Sequence, residues 1–103
     1  MLIVFTTVSG LEEAEQLAEK IVENRLAACV QVLPEMRSFY SWEGKIRKDP
    51  EHLLLIKTAE SRYEELERWI LENHSYDEPE IVAVDAEKVS EGYLKWLEGY
   101  LGD

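Results

Sequence analysis

The chain has 103 residues, with 22 acidic side chains against 11 basic ones and a formal charge of −11. A surface of that sign repels a phosphate backbone and an anionic lipid surface alike, so neither nucleic acid nor a membrane is expected as a partner. The apolar runs Leu2 to Phe5, Leu53 to Ile56 and Ile81 to Val84 are far too short to span a bilayer.

The length fits one domain, expected over residues 1–103. A chain this small buries a modest share of its surface, and it carries three Trp and five Tyr. Both features raise the expectation of subunit contacts. No basic segment precedes the first apolar run, which favours the cytoplasm. One cysteine, Cys29, closes no intrachain disulfide and completes no zinc-finger spacing. It is a buried and inert residue, a ligand shared between chains, or a reactive thiol. Charged residues at 32%, few glycines and short loops resemble heat-adapted compositions, so high thermal stability is expected.

Leu2 to Val8 reads as a buried strand, broken by Ser9-Gly10. Ser9 and Glu12 have capping-box spacing, and Ala14, Leu17, Ile21 and Leu26 then follow on one helical face. Glu12, Glu15, Glu19 and Glu23 lie opposite and read as a solvated surface. Ala27 to Leu33 is a second strand, ended by Pro34. Phe39 to Arg47 mixes polar and aromatic residues, Lys48-Asp49-Pro50 reads as a turn, and Leu53 to Thr58 is apolar again, which makes a long hairpin. Ser61 and Glu64 offer a second capping box ahead of Tyr63, Leu66, Trp69 and Ile70. Ile81 to Val84 reads as the last central strand. Ser90 is placed to cap a short terminal helix with Tyr93, Leu94, Leu97 and Leu101 inward.

This order predicts an α+β fold, the ferredoxin-like βαββαβ sandwich with a long β-hairpin and a short C-terminal helix. The fold hosts many activities and names none. An RNA reader is set aside, because the charge is wrong and no basic aromatic strand is present. Phosphate loop, His-Glu-x-x-His and nucleophile elbow are all absent, so no enzyme is expected. His74, Tyr76, Asp77, Glu78 and Glu80 crowd one loop, and imidazole with carboxylates is a set that borderline divalent ions accept. His74 reads equally as an ordinary residue at a helix C-terminus, with the acids keeping a loop solvated. His52, at the start of a strand, reads as structural.

Several blocks recur in register: Thr6-Thr7, Arg25 to Cys29, Phe39 to Ile46, Lys57-Thr58, His74 to Ile81, and Tyr93 to Leu97. Together they resemble the CutA family of divalent-cation-tolerance proteins. The resemblance implies a non-catalytic homotrimer whose long hairpins extend neighbouring sheets. It implies a role in cation tolerance or homeostasis, with a divalent ion, Cu²⁺ or Zn²⁺, held by His74, Glu80 and Cys29. Tyr40, Trp42, Lys57 and Tyr76 would line the cleft between subunits. The family is similar in fold and assembly to the PII regulators, so the alternative is a signalling or scaffold module that binds a small effector or a partner protein there. Ser75 stands where the family usually has Pro, Asn73 where some members have His, and Thr6 where some copper-binding members have Cys. Of the copper set in those members, His74 alone remains.

Overall fold

The computed structural model describes residues 1–102. Strand β1 (Leu2–Val8) leads into helix α1 (Leu11–Glu23), and β2 (Cys29–Val32) follows. Strands β3 (Met36–Trp42) and β4 (Lys45–Thr58) make the hairpin, and a single 3₁₀ turn at Glu60–Arg62 opens helix α2 (Tyr63–Asn73). Strand β5 (Val82–Asp85) and helix α3 (Glu91–Leu101) complete the order. The sheet runs β2-β4-β1-β5, with β3 also on β4, and every pairing is antiparallel. The first two strands therefore run in the same direction with β4 inserted between them, as the split βαβ arrangement requires.

Side chains alternate across a strand, so one sheet face is dictated by the apolar positions two apart. Val4 and Val8 of β1 with Leu54 and Ile56 of β4 are buried under α1 and α2, whose Leu17, Ile21, Leu66 and Ile70 meet them. The other face carries Ile3, Phe5, Leu53 and Leu55, which are only half-buried. It continues onto β5, where Val84 pairs with Ile3 and Val82 with Phe5, at 45% and 50% exposure. Helix α3 closes one end, with Leu97 and Leu101 packed on Ala28 and Met1. Arg25 and Arg62 donate to the carbonyls of Tyr100 and Leu101, the C-terminal end of α3, where the helix dipole favours a cation.

Three expectations are corrected. Lys48-Asp49-Pro50 is not a turn but the middle of β4. The chain reverses at Glu43-Gly44, where φ values of 51° and 76° form the two-residue turn that matches strand twist. Pro50 is tolerated in the strand because β1 ends at the Val8–His52 pair, so β4 is an edge there. Secondly, Ile81 to Val84 is not central: β5 is an edge strand whose four residues are all exposed. Thirdly, α1 begins after Gly10 and α2 after Arg62, with no side-chain cap bond at either, so neither Ser9 nor Ser61 is the N-cap. Ser90 occupies the N-cap of α3 as expected, although its hydroxyl makes no cap bond.

The hairpin leaves the body, and the molecule measures 45 × 25 × 23 Å with a radius of gyration of 14.3 Å. A compact chain of this length would have about 13 Å. The excess belongs to an arm bearing Phe39, Trp42 and Ile46 at 67%, 56% and 76% exposure.

Candidate functional site

A groove of about 880 Å³ lies where the uncovered sheet face meets the base of the hairpin. Thr7 and Glu51 line it from the sheet, Tyr40 and Trp42 from the hairpin, and Tyr76 and Glu80 from the loop after α2. Alternation along β4 puts Glu51 on the same face as Leu53 and Leu55, which is how an acid comes to point into a half-apolar recess.

The loop is held by a buried imidazole. The His74 side chain is fully buried, its Nε2–H donates to the Thr7 carbonyl at 2.8 Å, and its Nδ1 accepts the Tyr76 N–H at 3.0 Å. The two partners set the tautomer, because a carbonyl only accepts and a backbone N–H only donates. Glu13 of α1 pins the next residue: it accepts from the Ser75 N–H at 3.1 Å and from the Ser75 hydroxyl at 2.8 Å. One of its oxygens lies 4.0 Å from His74 Nδ1. Pro79 is buried, which fixes the far end of the loop. The Tyr76 ring stacks obliquely on His74, with centroids 4.8 Å apart, and its hydroxyl donates to Glu51 at 2.8 Å. Burial first, and then the Glu51 carboxylate as acceptor, push the Tyr76 phenol well above its ordinary pKa, so it stays a proton donor.

The groove is electronegative. Asp49, Glu51, Asp77, Glu78 and Glu80 line it against the single guanidinium of Arg47, which itself faces Asp49 at 3.9 Å. Tyr40 donates to the same Asp49 carboxylate, and that bond is the chief cause of its raised phenol pKa.

Of the residues singled out from the sequence, Tyr40, Trp42, Tyr76 and Glu80 come together around this groove. His74 lies behind it as the loop's anchor. Cys29 and Lys57 are elsewhere: they pair with each other across β2 and β4, and Lys57 lies under the Tyr93 ring at 5.6 Å. Their row is that of Ile3, four residues along β1 from the Thr7 that His74 holds, or about 13 Å. Within one chain, then, His74, Glu80 and Cys29 do not converge, and no group of three or more His, Cys, Asp or Glu among the described residues is arranged to hold a metal ion. Glu51 and Glu13 were not singled out from the sequence. An acid alternating with Leu53 and Leu55 was a readable signal for Glu51, whereas Glu13 meets Ser75 only through the fold.

The family model that matches, over residues 2–99, is described as CutA1 divalent ion tolerance protein. The chain is 46% identical over 97 residues to the divalent-cation tolerance protein CutA of Pyrococcus horikoshii, covering 94% of each. It is 44% identical over 96 residues to the chloroplastic protein CutA of Arabidopsis thaliana, where it covers 93% of itself and 53% of the relative. The chain thus spans about half the length of that plant protein. The structure of the periplasmic divalent cation tolerance protein CutA from Archaeoglobus fulgidus matches with a TM-score of 0.94 at 33% identity, over 98% of this chain and 99% of that one. Two of these relatives are named for compartments, one chloroplastic and one periplasmic, and no helix among the described residues is long and apolar enough to cross a membrane. The family model and these relatives each match nearly the whole chain, and the chain belongs to the CutA1 family of divalent ion tolerance proteins.

Proposed function

We propose that residues 1–103 form one CutA-like domain that assembles as a homotrimer and serves divalent-cation tolerance by binding a metal ion, without catalysis. The observation that carries the assembly is the uncovered sheet face of Ile3, Phe5, Leu53, Leu55, Val82 and Val84, joined to a hairpin whose aromatic tip has no cover in its own chain. Apolar surface and open strand edges of this kind are stabilised by a neighbour that pairs with and buries them. Three copies related by a closed rotation satisfy every edge alike.

Family membership supports the metal reading, and so does the charge of the groove. Glu80 supplies an exposed oxygen donor on its rim. His74 ligates Cu²⁺ or Zn²⁺ through Nδ1 once the Tyr76 N–H lets go, and Cys29 enters such a site only from a neighbouring subunit, since its own chain keeps it at the far end of the sheet. Light scattering with calorimetric Cu²⁺ titration tests both parts. The expected mass is that of three chains, and Trp42→Ala lowers it by removing an anchor of roughly 2 kcal/mol or more. A monomer at micromolar concentration refutes the assembly, and Cu²⁺ binding unchanged in Glu80→Ala refutes the ligand assignment.

A further inference from the structure

The hairpin is a ribbon with two unlike faces. Residues directly opposed in register share a face, so Tyr40, Trp42, Arg47 and Glu51 look into the groove. The opposite face carries Arg37 across from Pro50, Phe39 across from Lys48, and Ser41 across from Ile46. Phe39 and Pro50 also border the groove, as ribbon residues of either face do through their backbone, but alternation turns their side chains away from it. This outer face continues the side of β4 on which Leu54 and Ile56 are buried under helices, yet Ile46, Lys48 and Pro50 are all exposed. A neighbour seated on the uncovered sheet face meets the groove side of the arm, so the proposed assembly does not call on the outer one. The charge of the outer face is opposite to that of the chain. None of its six residues is an acid, in a chain with 22 acids against 11 bases. Among the described residues neither Arg37 nor Lys48 forms an ion pair. Phe39 and Ile46, diagonal neighbours about 7–8 Å apart, are mostly exposed beside these cations. Bare apolar side chains bordered by unpaired charge mark a contact surface.

We propose that the outer face of the arm docks a partner protein through an acidic segment that also carries apolar side chains. Its carboxylates meet Arg37 and Lys48, and its apolar groups cover Phe39 and Ile46. Arginine and aromatic anchors of this kind carry most of the energy of protein contacts, and a guanidinium holds a carboxylate by two parallel bonds. A nucleic acid or an anionic bilayer presents its charge over an area as wide as the molecule, and so meets the −11 of the whole chain. A short acidic segment meets only the arm, because charges beyond about 8 Å are largely screened at physiological ionic strength. The inference goes beyond metal binding and trimer assembly and depends on neither.

The test is selection from a displayed library of random short peptides on the full chain in its native assembly, followed by fluorescence anisotropy of the enriched peptides at an ionic strength of about 0.15 M. The expected peptides combine Asp or Glu with Leu, Ile or Phe and bind saturably. Their affinity falls roughly tenfold or more in Arg37→Glu/Lys48→Glu, where two attractive contacts become repulsive, and comparably in Phe39→Ser/Ile46→Ser. Arg68→Glu/Lys88→Glu reverses equal charge at exposed positions elsewhere and is expected to leave the affinity unchanged. Light scattering should give all three variants the mass of the wild type. Lys48→Glu alone carries the same expectation at smaller amplitude if the double variant does not fold. The proposal is overturned if no acidic peptide is enriched, or if the Arg68 and Lys88 variant weakens binding as much. It is equally overturned if Lys48→Glu changes the mass, which would give this face to a neighbouring copy, or if phosphatidylserine vesicles bind through Phe39 and Ile46 where no peptide does. A monomeric wild type or a failed Cu²⁺ titration leaves it standing, so the readings fail separately.

Discussion

Replacing His74 separates an anchor from a ligand. In His74→Ala the fully buried ring disappears together with its two hydrogen bonds, to the Thr7 carbonyl at 2.8 Å and from the Tyr76 N–H at 3.0 Å. Each is worth about 1 kcal/mol net. Thr7 is 7% exposed, so its carbonyl is left in a place that water reaches poorly, and a ring-sized void opens beside it. The sum is a destabilisation of about 2–4 kcal/mol. Guanidinium unfolding at one fixed protomer concentration measures it, since the stability of an oligomer depends on concentration. His74→Gln reaches Thr7 with its amide but offers nothing to the Tyr76 N–H, so it should fall between wild type and Ala. An alanine variant within about 0.5 kcal/mol of wild type would contradict the anchoring role, because that is the range of a surface change. The same samples titrated with Cu²⁺ resolve the second role: loss of binding in a variant whose loop keeps its fold marks a ligand.

Tyr76→Phe should cost about 1–3 kcal/mol at neutral pH by leaving the Glu51 carboxylate without its donor. Its folded-state pKa is raised above 10.0, so the stability it contributes is fully present below about pH 10 and is lost as pH rises further. Alkaline unfolding of the wild type should therefore steepen above about pH 10, and Tyr76→Phe should flatten that limb; an unchanged limb would refute the assignment. Gly44→Val should destabilise the hairpin by about 1–2 kcal/mol, because φ of 76° suits glycine and not a β-branched residue, as thermal unfolding would show. The thermal midpoint itself should lie above the mesophilic range of about 45–65 °C, and a value inside that range would show that composition misled.

Element order was legible because each period was strong. The apolar run of Leu2 to Val8, the helical face of Ala14, Leu17 and Ile21, and the terminal face of Leu97 and Leu101 each point one way at their own spacing. Turn chemistry read locally went wrong at Asp49-Pro50, since whether a proline interrupts a strand depends on whether that edge has a partner, and β1 ends before it. The groove was half legible. His74, Tyr76 and Glu80 stand close together in the sequence, and the hairpin aromatics Tyr40 and Trp42 announce themselves by their bulk on an otherwise polar segment. Bringing the two sets to one place needed the register of β4 on β1. The role of His74 was beyond any local reading, because its partner Thr7 is separated from it by most of the chain and only the packing of α2 against the sheet makes them neighbours. Hydrophobic period is a property of near neighbours and is written in the chain. The partner of a buried polar atom is whatever the closed fold puts within 3 Å of it, and that was decided by tertiary structure alone.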